Sequence, residues 1–365
     1  MELRIEDVAF GGKGVGREGG KAVFIPYTID GERVSARIVR EKKHFAEAEL
    51  HELLDSSPHR VTPECPYFGR CGGCVYQHIS YEHQLEIKAR QVEETLRRIG
   101  HFSELPMRPI VASPQSYNYR NRITVHCQDG VVGFYRRDEH RLIDIEVCPI
   151  AMAEVNDELK QLRARHPRDG HYTLRAHSGP RIFSQTNDAV AERLVEHVTN
   201  LVPERGALLI DAYCGAGSFA KRLLDKFERV VGIDWDVHAI TTAQENATDK
   251  EIYIASDVDF ELGHVLTQRG VVAAVSAAGR SIAGDTPATT LIVDPPATGL
   301  TNAGRHAIVD LTPDTLIYVS CNPATLARDL VQLRDRFTIE SVTPFDMFPQ
   351  TAEIEVVVKL QPRLK

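Results

Sequence analysis

Cys321 closes an apolar run in Tyr318-Val319-Ser320-Cys321-Asn322-Pro323, a position from which a thiol can meet a substrate. Upstream stand the turn Asp294-Pro295-Pro296 and the loop Asp211-Ala212-Tyr213-Cys214-Gly215-Ala216-Gly217; downstream a lone carboxylate, Glu355, sits within the apolar stretch Ile354 to Leu360. A thiolate adds to electron-poor carbon, and a carboxylate among apolar neighbours has its pKa raised toward that of a useful base. A glycine loop lets a ligand approach the backbone closely. Together they suggest covalent catalysis on a substrate served by a cofactor. The pattern alone also admits a structural cysteine at Cys321 and a solvent-facing strand residue at Glu355.

The seven cysteines are an odd number, and the N-terminus lacks the basic-then-apolar layout of a signal peptide. A disulfide framework is therefore not expected, and metal or catalytic roles gain weight. Cys65, Cys71 and Cys74 fall within ten residues, and Cys148, before Pro149, supplies a fourth thiol from afar. Four thiolates can hold zinc or an iron–sulfur cluster; three close cysteines plus a remote one before proline suit a [4Fe-4S] cubane better than the paired spacing of zinc ribbons. Cys127 and Cys214 read as structural. No apolar run reaches membrane-spanning length, so a cytoplasmic protein without membrane contact is expected. A net charge of −8 argues against wholesale electrostatic binding of nucleic acid, although local patches decide such binding.

Three regions must position these groups. Residues 1–55 carry short alternating runs (Leu3 to Phe10, Lys21 to Pro26, Arg33 to Arg40, Phe45 to Leu50) between glycine turns, which fits a small OB-like or SH3-like barrel. Residues 56–180 hold the cysteines and a helix from Tyr81 to Ile99, with Leu85, Val92, Leu96 and Ile99 spaced for one face. Basic residues gather here (Lys88, Arg90, Arg97, Arg98, Arg120, Arg122, Arg136, Arg137, Arg141) beside Tyr117, Tyr119, Phe134 and Tyr135. That mixture suits single-stranded RNA. Residues 181–365 alternate strand and helix: Ala207–Asp211, Arg229–Asp234, Ile252–Ser256, Thr290–Asp294, Leu316–Ser320, Ile339–Pro344 and Glu355–Leu360 read as strands. An α/β domain with a mostly parallel, doubly wound sheet follows. The stretch Gly270 to Thr286 suits a helix with a mobile loop.

The glycine loop follows a strand and opens a helix; the next strand ends in Asp234, and Asp257 ends the one after. Acidic residues there can accept hydrogen bonds from ribose hydroxyls and an adenine amino group. The series resembles class I S-adenosylmethionine-dependent methyltransferases, and that resemblance implies S-adenosylmethionine rather than NAD.

Further motifs extend the likeness across nearly the whole chain. Gly11-Gly12-Lys13-Gly14-Val15-Gly16, Val23-Phe24-Ile25-Pro26 and Gly31-Glu32-Arg33-Val34 look like a TRAM domain. Cys65-Pro66-Tyr67-Phe68-Gly69-Arg70-Cys71-Gly72-Gly73-Cys74, Gln77-His78, Gln84-Leu85-x-x-Lys88, Tyr119-Arg120-Asn121 and Cys148-Pro149-Ile150 continue it. So do Phe183-Ser184-Gln185-Thr186-Asn187, Ser320-Cys321-Asn322-Pro323 and Phe348-Pro349-Gln350-Thr351-x-x-Ile354-Glu355. The chain resembles the uracil-5 RNA methyltransferases, in their iron–sulfur branch acting on bacterial 23S ribosomal RNA. The resemblance implies Cys321 as nucleophile and Glu355 as general base. It implies Gln185, Tyr213, Gly215, Gly217, Ser218, Asp234, Asp257 and Asp294 at the cofactor, and Cys65, Cys71, Cys74 and Cys148 on a [4Fe-4S] cluster. RNA is the implied partner, ribosomal or, as the alternative, U54 of transfer RNA; no obligate protein partner is implied. A catalytically decayed iron–sulfur RNA-binding protein is the non-enzymatic alternative. Three residues depart from the family pattern: Ala297 where arginine follows Asp-Pro-Pro, Glu353 where histidine precedes the base, and Ser218 where asparagine is common.

Overall fold

The N-terminal alternation closes on itself. In the computed structural model, which describes residues 1–137, 141–176, 185–245, 247–265 and 288–363, five strands form a barrel in the order β1-β2-β3-β5-β4. They are β1 (Glu2–Val8), β2 (Lys13–Glu18), β3 (Lys21–Pro26), β4 (Arg33–Glu41) and β5 (Phe45–Asp55). Every second residue points inward, so Leu3, Ile5, Val23, Ile25, Val34, Ala36, Ala46 and Ala48 make the barrel core. The sequence reading missed β2, because its glycines look like turn residues. Gly14 is there for closeness: a Cβ would lie 2.0 Å from the Thr28 hydroxyl oxygen.

Residues 122–175 form a second, antiparallel sheet in the order β8-β7-β6-β9, from β6 (Arg122–Gln128), β7 (Val131–Tyr135), β8 (Leu142–Asp144) and β9 (Gly170–Arg175). Helix α2 (Ala153–Ala164) covers it, with Val155 and Leu159 packed on Ile123, Val125 and Val132.

Helix α1 (Tyr81–Gly100) forms where its periodicity predicts, and two residues of the predicted face, Val92 and Leu96, are buried, but the buried face extends over polar positions that the periodicity does not mark. Gln84, Ile87, Lys88, Gln91, Val92, Thr95 and Leu96 turn inward, whereas Leu85 is half-buried and Ile99 is 37% exposed. Gln84, Lys88 and Gln91 are tolerated inside because each finds a partner: Gln84 donates to the Ile79 carbonyl at 2.8 Å, Gln91 to the Val8 carbonyl at 2.7 Å, and Lys88 contacts Asp346 at 2.6 Å. Val92 and Leu96 join the core of the C-terminal sheet. Part of the stretch read as a central domain thus packs into the C-terminal layer.

That layer is a seven-stranded sheet in the order β12-β11-β10-β13-β14-β16-β15. Its strands are β10 (Gly206–Ala212), β11 (Phe227–Asp234), β12 (Glu251–Ala255), β13 (Thr289–Val293), β14 (Thr315–Ser320), β15 (Phe337–Phe345) and β16 (Glu355–Pro362). The first five are parallel and β16 runs antiparallel between β14 and β15. Helices α3 (Asp188–Leu201), α4 (Ser218–Leu223), α5 (Val237–Gln244), α6 (Val258–Val265), α7 (Asn302–Leu311) and α8 (Pro323–Leu333) cover its faces. Burial on both sides makes β10, β13 and β14 near-continuous apolar runs, which is why the sequence displays them. Strand order reverses beside β10, where open α/β sheets bind ligands. The stretch Gly270 to Thr286, and Phe183 and Ser184, lie outside the described residues. Among the described residues no helix is long and apolar enough to cross a membrane.

The burial pattern of α1 predicts a sharp contrast. Leu96→Ala should lower stability by about 2–5 kcal/mol through a cavity at the sheet, while Ile99→Ala stays within about 0.5 kcal/mol. Urea unfolding followed by circular dichroism checks both.

Candidate active site

The chemistry predicted from sequence gathers at one edge of the large sheet, beyond the carboxyl ends of its parallel strands. Ser320 pairs with Val356, so one further register step sets Cys321 beside Glu355. Phe345 pairs with Glu355 on the other side. Asp294 follows β13, the other neighbour of β14, and its amide donates to the Ala212 carbonyl at 3.2 Å. Thiol, carboxylate and aspartate thus come from three neighbouring strand ends.

The electrostatics are those of an acidic pocket. Glu355 is buried, its carboxyl is held well above the usual range by burial and then by Asp294 and Glu353, and its Oε2 has no hydrogen-bond partner. Burial pushes Asp294 up to about 7, with Asp234 adding to it. The half-buried Cys321 thiol is pushed up to about 11 by burial, then by Glu355, Asp294 and Glu353. A cysteine nucleophile was expected in a site favouring the thiolate; here it keeps its proton, because carboxylates and not cations surround it.

Ala297 leaves the Asp-Pro-Pro loop without the arginine of the family pattern, and other groups hold it. Asn322 Nδ2 and Thr325 Oγ1 donate to the Ala297 carbonyl at 3.3 and 3.1 Å. Arg328 reaches the Thr298 carbonyl at 2.8 Å, and Arg305 the Leu300 carbonyl at 2.5 Å. Behind them lies Asp329, fully buried, accepting from Leu300 N, the Tyr318 hydroxyl, Arg305 and Arg328 at 2.6–2.9 Å. Asn322 also caps α8, accepting from Ala324 N. The sequence gives no sign of the Asp329 network, which joins residues far apart in the chain.

The glycine loop leaves β10 through Tyr213, whose φ of +64° lies in the left-handed region that costs a non-glycine residue energy. Asp234 receives Gly215 N at 2.8 Å and Asp236 N at 2.8 Å. Gly217 has φ +82°, and a Cβ there would stand 2.9 Å from the Tyr253 hydroxyl; Ser218 then begins α4. Tyr213 donates to Asp259 at 2.8 Å, and Asp257 caps the turn into α6 by accepting from Phe260 N. Asp211 accepts from Ala220 N through one oxygen while the other has no partner, and burial pushes its carboxyl up to about 7. Buried acids short of positive charge fit a cationic ligand. Gln185 is half-buried before α3; its carbonyl accepts from Asn121 Nδ2 at 3.0 Å, and no side-chain contact ties it to Asp294 or Asp234.

The four cysteines come together away from this edge. Cys65, Cys71, Cys74 and Cys148 line one cavity of about 550 Å³ with Gln77, Phe134 and Glu353. Burial pushes Cys74 up to about 12 and Cys148 up to about 11, and each thiol is close enough for the others to add to this. Cys148 is fixed by Asn156, which accepts from its amide at 2.8 Å. Among the described residues no group of three or more His, Cys, Asp and Glu side chains is arranged to grip a single metal ion. A cubane asks less of one point, since each thiolate takes a separate iron. The basic patch needs correction. Lys88 is fully buried against Asp346, Arg90 pairs with Asp7, Arg97 with Glu93, and Tyr119 is buried with its hydroxyl on the Pro349 carbonyl. Arg120, Arg122 and Arg175 do line the cysteine cavity.

Residues 167–363 match the tRNA (Uracil-5-)-methyltransferase family, and residues 1–51 match the TRAM domain. An uncharacterized RNA methyltransferase of Bdellovibrio bacteriovorus is 30% identical over 390 residues, covering 99% of this chain and 95% of that protein. One of Halalkalibacterium halodurans is 29% identical over 454 residues, covering 99% and 96%. Among solved structures, the Pyrococcus abyssi tRNA (uracil-54, C5)-methyltransferase in complex with S-adenosyl-L-homocysteine superposes with a TM-score of 0.68 at 23% identity, covering 99% of this chain and all of that one.

The raised acid at Asp211 makes stability depend on pH. Its ordinary value is 3.8 and the fold holds it at about 7. Between these the unfolded chain releases a proton that the folded chain keeps, so its contribution to stability falls as pH rises from 3.8 and is fully lost above 7. Asp211→Asn should remove a fall on the order of 4 kcal/mol in all, of which about 3 kcal/mol lies between pH 5 and pH 8. Urea midpoints of both proteins at pH 5 and pH 8, without ligand, test the slope, which a constant cost of the amide does not alter.

Proposed function

The chain belongs to the tRNA (uracil-5-)-methyltransferase family and is an RNA (uracil-5) methyltransferase, and we propose that it works through a Cys321–C6 adduct resolved by Glu355. The observation that carries this reading is the register that sets Cys321 and Glu355 side by side at the strand ends next to Asp294. S-adenosylmethionine supplies a sulfonium-bound methyl group and a positive charge. Asp211, Asp234 and Asp294, with the turn through Tyr213, Gly215, Gly217 and Ser218, form an acidic cradle fitting such a cation; Gln185 and Asp257 complete it by resemblance.

Uracil C5 is too weak a nucleophile to take a methyl group unaided. Addition of the Cys321 sulfur at C6 makes the ring an enolate whose C5 can do so. Cys321 must first lose its proton, and a cation entering among the carboxylates lowers both its pKa and that of Glu355. Glu355 then removes the C5 proton, and the sulfur leaves C6 to restore the ring. The uracil reaches this edge only when unstacked, so a flipped or single-stranded base is required.

Cys65, Cys71, Cys74 and Cys148 would hold a [4Fe-4S] cluster: four thiols from two chain segments on one cavity are the donor set it needs. The cluster would fasten the segment after Cys74 to the turn at Cys148. By its resemblance to the iron–sulfur branch alone, the cysteine segment favours 23S ribosomal RNA as substrate. The family description and the transfer-RNA enzyme of similar fold favour U54 of transfer RNA as a second reading. Base-resolved mapping of 5-methyluridine in both RNAs, with and without the protein, decides between them.

RNA carrying 5-fluorouracil cannot lose a C5 proton and should give an adduct that survives denaturing electrophoresis. Cys321→Ala should abolish it; an undiminished adduct would mean another nucleophile. On ordinary RNA, Glu355→Gln should slow turnover by about 10²–10⁴-fold. Anaerobically purified protein should be brown with about four irons per chain, and Cys74→Ser should lose the colour.

A further inference from the structure

Residues 346–353, with Ile354, join β15 to β16 and deliver Glu355 to the site, yet they form neither helix nor strand. What shapes them comes largely from α1 and the segment before it. Lys88 Nζ, fully buried, donates to Asp346 Oδ1 at 2.6 Å, to the Phe348 carbonyl at 3.0 Å and to the Glu353 carbonyl at 3.0 Å. One ammonium therefore spans the segment, ending two residues before Glu355. Four residues earlier on the same helix face, Gln84 donates to Gln350 Oε1 at 2.9 Å and accepts from Gln350 N at 3.1 Å. Gln350 has φ +69°, a conformation that persists only when its surroundings enforce it. The amides of Val75 and Tyr76, next to Cys74, both donate to the Gln350 carbonyl at 3.0 Å.

We infer that Lys88 and Gln84 are positioning residues for the catalytic carboxylate, setting the place of Glu355 through residues 346–353. The inference rests on the reading of Glu355 as the base. The chemistry explains why the grip has to be firm. A general base must lie within hydrogen-bond reach of the proton it takes, and Glu355 has no hydrogen bond on Oε2 to hold it from within the site. Its location is therefore inherited from its backbone. A displacement of about 1 Å can cost about 100-fold in rate. Methyl transfer depends on Cys321, which is mounted on β14 and α8, so the two halves of the reaction are held separately. Loosening the grip should slow proton removal and spare methyl transfer.

The test uses full-length, anaerobically purified enzyme and the RNA transcript that the mapping identifies as methylated, labelled with tritium at C5. Lys88→Met alone would strand a buried carboxylate, so the variant is Lys88→Met with Asp346→Asn, which removes the ammonium and leaves no buried charge. In a single turnover its methyl transfer should stay within about 3-fold of wild type while tritium release slows by about 10–100-fold. An adduct stable to denaturation should then accumulate on ordinary RNA. Gln84→Met, which keeps the ion pair, should show the same split at about 3–10-fold. A purely structural role would lower both steps in parallel. That result, tritium release at the wild-type rate, or failure of both variants to fold would overturn the inference. Glu355→Gln runs beside them. If it releases tritium normally, the base reading itself is wrong. If it stalls release while the other variants do not, only the positioning role falls.

Discussion

A buried stretch of irregular backbone must find a partner for each of its carbonyls, because nothing within the stretch supplies one regularly. Among residues 346–353, largely buried, five carbonyls meet that demand from four parts of the chain. Asn187 donates to the Met347 carbonyl, Lys88 to those of Phe348 and Glu353, Tyr119 to that of Pro349, and the amides of Val75 and Tyr76 to that of Gln350. The cysteine segment, α1, the turn before β6 and the cap of α3 are thereby fastened to the strand bearing Glu355. Each bond is worth about 1 kcal/mol net, but an orphaned buried carbonyl costs about 1–3 kcal/mol. The arrangement therefore resists piecemeal change, and the catalytic edge and the cysteine cavity are parts of one construction.

Against that fixed frame the pocket is left electrically unfinished. Asp211 and Glu355 each keep a buried oxygen without a partner, and burial raises both acids along with Asp294. Asp234, by contrast, accepts from the amides of Gly215 and Asp236. A site that binds a cation gains by omitting such bonds, since its carboxylates then have their strongest available partner in the ligand. Burial and two of the same acids, Glu355 and Asp294, raise the pKa of the Cys321 thiol. Backbone strain falls at the same places, Tyr213 beside the cofactor loop and Gln350 ahead of the base.

Much of this was legible in the sequence, for physical reasons. Strands buried on both faces display themselves as apolar runs, and the seven C-terminal strands lie within two residues of where those runs place them. The chemistry-bearing side chains sit at strand ends, so finding the strands nearly finds the site. Legibility failed where a residue answers to a distant partner. β2 escaped because Gly14 is set by Thr28 across the barrel rather than by local preference. The buried face of α1 is legible only in part, at Val92 and Leu96, because hydrophobic spacing cannot announce that Gln84, Lys88 and Gln91 lie inside, and Lys88 reads as part of a basic surface. Its partner is 258 positions away. Asp329, in contact with Arg305 and Tyr318, is hidden for the same reason.

Ala297 bears on how the two halves of the reaction are kept in register. Without an arginine at that position, the loop after Asp294 hangs on Asn322, Thr325 and Arg328, all at the start or along the exposed side of α8. Cys321 immediately precedes the same helix. The base, through Gln84 and Lys88, hangs on α1. Those two helices pack on each other, with Val92 and Leu96 in one apolar core with Leu326, Ala327 and Leu330. Sheet pairing fixes Cys321 and Glu355 side by side, but the loops that lead into them are referred to α8 and α1. The interlocked side chains between those helices therefore connect the supports of Cys321 and Glu355 without any contribution from residue 297. Close-packed interfaces are stiff because voids and overlaps are both costly, and a stiff apolar seam is a better ruler than a single exposed guanidinium. The missing arginine is therefore compatible with an intact catalytic edge rather than a sign of its decay.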